Sequence, residues 1–586
     1  MDRNTRIGFA LIFLLLVLWS LWMSRFSKKA PEQTLAMDSL ATIESVTPPP
    51  ASTDEPATPP VETGAAPSVE SAPRQQVVVE TEHARYLLDS RGAVLRRIEL
   101  LDYAGVASDY VELIGDVAEG DTVSVLGVDL DLPGGPFRTA GAGFALLDPP
   151  SGGKLTLKGE EEASLRFRLS DAEGGELIKR YGFKGNSYDV SLGIDATLRG
   201  ALAGADGVTL DWSPGIEVTE KNRKDDLRSF QSVFRVGEQQ EKKGLRNFKH
   251  GEGERAPAQR SEEGTVQWVA TKNKYFLAAL VPVQLETGQA ILVGDESRDA
   301  LGWRAHYPLN GQPGRYAAQF KVYAGPLLFD TLKAHGRGLE HLVDLGKLIR
   351  PISLAIKWLM DFLSRFIPNY GVIIILLSLF TKVLFYRLSH KSLKSMKEMQ
   401  AIQPQLKALQ EKYKGDRERL NKETLELYKQ AGVNPLGGCL PMLLQMPVFF
   451  ALYRVLRGAV ELRGAGFMLW IDDLSNMDVV YHLPFNLPLL GGFIDNSISV
   501  LPILMGLSMW VQQKLGGSGM GMGAESPQAG QMAAMNKIMP IFMTFIFYRM
   551  PSGLVLYWLV NNILQAVQQY YIHKGLDKPR VISAGA

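Results

Sequence analysis

The chemistry this chain offers begins with one ammonium in an apolar setting. Lys382 lies in residues 371–388 (GVIIILLSLFTKVLFYRL), a run apolar enough to enter a membrane. A charge at the centre of a bilayer costs roughly 2.5–3.5 kcal/mol, so ionisable groups there normally face a water-filled cavity. Ser378, one helical turn before the lysine, and Thr381 beside it give the helix one wet face. The expectation is a polar cavity inside the membrane. A second reading stays open: about 9 Å from the inner end of its helix, Lys382 can also snorkel to the interface.

Other polar residues share this placement. Tyr557, Asn561, Gln565 and Gln568 recur at i, i+4, i+8 and i+11 and make one polar stripe on an otherwise apolar rod. Gln445 stands between Pro441 and Pro447, and Ser508 and Gln512 are one turn apart. Hydrogen bonding between helices is the commoner use of such residues in membranes; lining one groove with Lys382 is the other. Covalent chemistry is not expected. There is no H-E-x-x-H, no membrane serine with a base, no G-x-S-x-G elbow, no phosphate loop and no metal-ligand cluster, so neither an enzyme nor a cofactor is predicted. A secondary transporter would also bury a lysine, but it usually shows repeated halves, and none is visible.

These side chains must be held by five apolar runs, residues 371–388, 437–456, 497–513, 532–549 and 551–571. In the fourth the uninterrupted apolar stretch, 538–548, gives about 16 Å of helix against a hydrocarbon core of about 30 Å, so the bilayer around it should thin. An earlier run, 7–23, carries Trp19 and Trp22 toward one end and no prompt cleavage site, which favours an uncleaved anchor (1–28) over a signal peptide. Residues 29–75, rich in Pro, Ala and Thr, cannot bury a core and predict a disordered tether. Residues 76–335 show short alternating runs such as KLTLKG and YDVSLGIDA, the pattern of an all-β sandwich with a scaffold or docking role. Residues 336–368 interleave apolar positions with Lys347, Arg350, Lys357 and Arg365 and predict amphipathic helix at the membrane interface.

Charge fixes the expected topology. The 586 residues hold 63 basic and 62 acidic side chains, which gives no global pull toward nucleic acid, and the single Cys439 forbids an intrachain disulfide. Locally the charge is segregated: ten Lys or Arg fall in 389–436 against Arg463 alone in 458–496. The 389–436 segment is therefore placed in the cytoplasm, and six spans put both termini inside and the β domain outside. This segment reads as two helices, about 389–414 and 417–431, folding back at Gly415–Asp416 with Leu406, Leu409, Leu420, Leu425 and Leu427 as a seam. Two readings stay open: a solvated connector held inside by its charge, or a docking site for an acidic or phosphate-bearing partner such as a ribosome.

Three long motifs, NPLGGCLPMLLQMPVFFALYRVL (434–456), ELRGAGFMLWIDDLS (461–475) and MPSGLVLYWLVNNILQ (550–565), resemble the signature stretches of the YidC membrane protein insertase family. The resemblance spans about 350–575, and the anchor, tether and β domain resemble the long form of Gram-negative bacteria. It implies a polytopic inner-membrane protein whose five-helix core (369–575, with a cytoplasmic tail at 576–586) encloses a hydrophilic groove open to cytoplasm and lipid. The groove would be formed by Lys382, Ser378, Thr381, Gln445, Ser508, Gln512, Tyr557, Asn561 and Gln565. Apolar substrate helices would slide into lipid along Met446, Pro447, Phe449, Phe450, Phe545 and Trp558. The family's groove cation is usually arginine; Lys382 keeps the charge and loses the planar fork. The implied partners are nascent membrane proteins, the Sec translocon, the ribosome and membrane lipids, with no sequence-specific nucleic acid.

Overall fold

The computed structural model describes residues 69, 71–115, 125–248, 258–284, 287–309, 314–413, 415–433, 440–485, 496–515 and 538–575, all within one compact unit, Gly64–Ala586. The predicted anchor, nearly all of the tether, Cys439, residues 532–537 and the 576–586 tail lie outside the described residues.

Alternation makes the β domain. The strand Asp189–Thr197 buries every second residue, and its neighbours Glu176–Lys184 and Arg315–Pro326 pair with it antiparallel along its whole length. Five strands form one sheet, from Tyr110–Ile114 through Val94–Ala104, Ala84–Asp89 and Gln76–Glu80 to Lys154–Thr156, the last pair parallel. Fourteen strands form the other. Its longest member, Ala258–Lys272, pairs with Thr287–Asp295 through its first half and with Gln231–Val236 and Phe276–Pro282 through its second. Gly264, at φ +147°, sits where it changes partners. Val77 and Tyr86 from the first sheet and Leu165, Tyr181 and Trp303 from the second share one apolar cluster, the core of the expected sandwich. The end of the predicted tether is already part of the domain: Arg74 donates to Asp89 at 2.6 Å, and Ala72 N–H to Gly143 O.

Two short helices decorate this domain, α1 (Arg223–Ser229), capped by Asn222, and α2 (Phe329–Ala334). Among the described residues nine more follow: α3 (Arg350–Ser364), α4 (Tyr370–Leu384), α5 (Tyr386–Ala401), α6 (Gln403–Lys412), α7 (Arg417–Ala431), α8 (Leu440–Gly458), α9 (Val500–Leu515), α10 (Ile538–Phe547) and α11 (Ser552–Gly575). Ile373, Leu377, Leu452, Leu501, Met505, Phe547 and Leu554 gather into their common core. Large apolar side chains also face outward, among them Phe380, Val383, Leu507 and Ile541, the last 72% exposed. A face of that kind marks a membrane or partner surface.

Two breaks in the helices and one seam residue differ from the sequence expectation. Residues 371–388 are not one rod: α4 ends at Leu384, Phe385 N–H bonds back to Thr381 O and Val383 O, and α5 leaves at a bend of 64°. The bend falls where the apolar run gives way to Arg387, His390 and Lys391, so the basic continuation is turned aside. Residues 389–414 break again at Ile402, because Pro404 in the first turn of α6 cannot supply an internal N–H. The hairpin turn itself forms where expected, with Asp416 accepting from Arg419 N–H at 3.0 Å, but Leu425 is 60% exposed and lies off the seam. No single described helix is long and apolar enough to cross a membrane, and α4 with α5 passes only as the bent pair, so the helices do not by themselves establish six spans.

Candidate functional site

The polar side chains of α4, α8 and α11 meet because each helix interrupts its apolar surface on the side facing the others. On α4, Ser378 is fully buried and donates to Ile374 O at 2.9 Å, its own helix, so its hydroxyl is not offered to a ligand. Thr381 donates to Ser378 O at 2.9 Å and lies 3.3 Å from the Tyr557 hydroxyl of α11. Gln445 and Asn561 approach the same hydroxyl, and Asn561 also donates to Tyr557 O at 3.0 Å. One turn further along, the Lys382 ammonium donates to Gln565 Oε1. Lys382 is half-buried. A cation held by a neutral amide rather than a carboxylate keeps its full charge for an incoming anion.

The other two candidates sit elsewhere. Ser508 on α9 donates to Met505 O at 2.6 Å and accepts from Asn562 at 3.1 Å. That contact belongs to the α9–α11 packing. Sequence reasoning passed over Asn562, since neighbouring asparagines point about 100° apart around a helix and the pattern does not say which one faces which neighbour. Gln512 is half-buried on α9 one turn beyond Ser508.

On the apolar side, Phe449 of α8 packs edge-on against Trp558 of α11 with centroids 4.9 Å apart, and Phe547 of α10 lies 5.2 Å from Trp558. Phe547, 3% exposed, was not among the expected slide residues although it completes the cluster. Met446, Phe450 and Phe545 are 39%, 40% and 36% exposed and form an outward apolar surface beside it; Pro447 lies inside α8. The site thus has a polar interior at α4–α11 and an aromatic edge at α8–α10–α11. Among the described residues, no group of three or more His, Cys, Asp or Glu side chains is arranged to hold a metal ion.

Comparison with known proteins bears on both halves. The family model described as "60Kd inner membrane protein" matches residues 362–579, and that described as "YidC periplasmic domain" matches 76–359. A protein of Chlorobium phaeovibrioides named "Membrane protein insertase YidC" is 36% identical over 98% of this chain and 95% of its own. One of Chloroherpeton thalassium with the same name is 33% identical over 99% and 97%. A crystal structure titled "Active YidC insertase crystal structure with the first transmembrane domain resolved" aligns with 86% of this chain and 94% of its own at 20% identity and a TM-score of 0.34. With relatives of this identity matched along almost its entire length, the chain belongs to the YidC membrane protein insertase family.

Proposed function

We propose that this protein inserts nascent membrane proteins into the inner membrane by lowering the cost of moving a polar flank across it, with no covalent chemistry. The observation that carries this reading is Lys382, an ammonium on an outwardly apolar helix, joined to Gln565 and next in sequence to Thr381 of the Thr381, Tyr557, Asn561 and Gln445 cluster. A polar tail entering from the cytoplasm is solvated there while Lys382 attracts its acidic residues. Its apolar helix meanwhile moves into lipid past Met446, Phe450 and Phe545, gaining about 0.8 kcal/mol per buried CH₂. The short apolar α10 supports a thinned bilayer beside the groove.

The same reading puts the termini and the α5–α7 hairpin in the cytoplasm and the β domain in the periplasm. Ten cations in 389–436 suit a ribosome, and family resemblance supports work with the Sec translocon. Gln512 and Ser508 lie at the α9 margin of the groove in this scheme.

The test is complementation of cells depleted of the native protein, scoring translocation of a single-span substrate with an acidic N-terminal tail. Lys382→Arg should rescue and Lys382→Leu should fail at equal protein levels. Full rescue by Lys382→Leu would remove the charge from the mechanism and leave hydration and thinning to do the work.

A further inference from the structure

The loop between α8 and α9 holds a leucine where the backbone calls for glycine. Ile471 N–H donates to Met468 O at 3.2 Å and Phe467 N–H to Ile471 O at 2.9 Å, which closes a tight turn over 468–471. Leu469, its first central residue, has φ +59°, while Trp470 stays on the negative side. That is the II′ pattern, whose first central position normally belongs to glycine. A leucine there is strained, because its Cβ crowds the following carbonyl. Packing does not offset the strain: Leu469 is 81% exposed, more than any other large apolar side chain among the described residues, and Met468 beside it is 55% exposed.

The turn is nonetheless held firmly against the start of α4. Asn369, the N-cap of α4, accepts from Val372 N–H at 3.1 Å and donates through Nδ2 to Phe467 O at 3.2 Å. The Phe467 ring fills the space left by Gly371, where a Cβ would overlap it. Behind the tip, Leu474 N–H bonds to Ala465 O, and Leu474 O accepts from Gly553 N–H of α11, both at 2.9 Å. Trp470 is half-buried and donates from Nε1 to Asp478 at 3.2 Å. Two apolar side chains are thus projected from a fixed base beside the first turn of an outwardly apolar helix, and the exposed ring of Phe366 stands only three residues before Asn369.

We propose that the 468–471 turn is a lipid-inserting finger, with Met468 and Leu469 entering the leaflet that meets the N-terminal end of α4. This rests on the membrane reading above, in which that leaflet is the outer one, and adds a device that fixes the depth at which α4 starts. A bilayer is the occupant that suits the finger. Two side chains on a narrow turn bury far less area than a stable protein partner requires, whereas lipid receives apolar groups singly. The Trp470 ring, apolar in body with its N–H engaged at one edge, matches the boundary between headgroups and acyl chains.

The experiment uses the full-length Cys439→Ser protein in vesicles of phosphatidylethanolamine and phosphatidylglycerol, with a bimane fluorophore at Leu469→Cys, Met468→Cys or, on α4, Phe380→Cys. Lipids brominated on their acyl chains should quench all three labels, and aqueous iodide none of them. Adding Leu469→Asn should cut bromolipid quenching at Met468→Cys about two-fold or more, because the apolar tip is lost. The same Leu469→Asn change in the otherwise unaltered protein should leave the thermal midpoint in detergent unchanged or higher, since asparagine accepts a left-handed backbone. A fall in the midpoint would make Leu469 a structural residue and overturn the proposal. Quenching at Phe380→Cys with iodide reaching both finger labels would overturn it and leave the membrane reading standing. Finger labels shielded from both quenchers would assign the tip to a protein partner and also overturn it. If bromolipids reach none of the three labels, the membrane reading fails and the finger with it.

Discussion

Arg463 Nε donates to Glu220 Oε1 at 2.7 Å, with the two side chains only 8% and 4% exposed, and this pair ties the loop after α8 to the β domain. The same guanidinium donates to Ala104 O and Thr219 O at 2.6 and 3.0 Å and lies over the Phe276 ring. Nearby, Arg457 meets Asp225, which also holds Lys274, and Val460 is counted in the β-domain core. Burial lifts the Glu220 carboxyl above its usual range against the pull of Arg463, while Lys274 and Arg457 outweigh burial and hold Asp225 below its own.

Removing one partner of a buried pair leaves the other charged and unpaired. Glu220→Ala or Arg463→Ala should therefore weaken the joint by about 3–5 kcal/mol, and the double substitution should cost less than the sum. Amide hydrogen exchange at residues 219–220 and 460–463 reads this directly. Unchanged protection in both single variants would mean that Val460 and its apolar contacts hold the joint alone.

The β domain carries its own pH response in Lys179. The side chain is fully buried, and its ammonium donates to Ala93 O, Leu126 O and Gly92 O at 2.5, 2.6 and 3.2 Å. Burial pushes it down to about 7 from 10.5, opposed by Asp129, which burial raises to about 6 from 3.8. Between pH 7 and 10.5 the unfolded chain then holds the extra proton, so stability should rise with pH, by an amount on the order of a few kcal/mol. Between pH 3.8 and 6 the folded chain holds it, on Asp129, and stability should fall as pH rises. Denaturant titrations of the full protein in detergent, read by exchange in Glu176–Lys184, should show the upper rise and lose it in Lys179→Met.

Much of this architecture was legible, and what was not has physical reasons. Period-two runs announced the β domain, but the switch of Ala258–Lys272 between partners depends on pairings far apart in sequence. Pro404 was a visible break signal, whereas the turn at Phe385 has no such marker, since the helix stops where its surroundings change from apolar to basic. The polar stripe of α11 grouped Tyr557, Asn561, Gln565 and Gln568; of these, Tyr557 lies beside Thr381 and Gln565 accepts from Lys382. Ser508 belonged to a different contact because its partner is Asn562. Residue type shows that a polar group is present; only packing shows which neighbour it answers.

Helix α9 approaches α10 where glycine allows it. A Cβ on Gly506 would overlap Thr544 Oγ1, a side-chain atom that itself donates to Pro540 O. Gly506→Ala should thus cost about 1–3 kcal/mol from overpacking, more than the helix propensity it gains. Thr544→Ala clears the obstacle, so the double variant should be at least as stable as the wild type. Thermal midpoints of the three variants in one detergent decide it, and a Gly506→Ala protein as stable as the wild type would show that the helices separate freely.

Helix α3 offers the sharpest test of where the membrane begins. Trp358 and Phe362 of α3 and Phe366 just past its end, at i, i+4 and i+8, are 67%, 43% and 71% exposed and form a row, the first pair stacked and the second edge-on, with centroids 5.7 and 5.4 Å apart. Lys357, held up by Glu461 and Asp361 against burial, lies on the inward side at 3.0 and 3.2 Å from them. Three adjacent exposed rings over a neutralised polar face fit an interfacial bilayer contact. The sole cysteine makes this measurable: in a Cys439→Ser background, a nitroxide at Phe366→Cys in lipid vesicles should collide with oxygen more often than with a water-soluble nickel chelate. A label at Leu425→Cys, on the exposed face of the hairpin, should show the reverse. Equal chelate access at both sites would put α3 in water and move the outer membrane boundary down to α4.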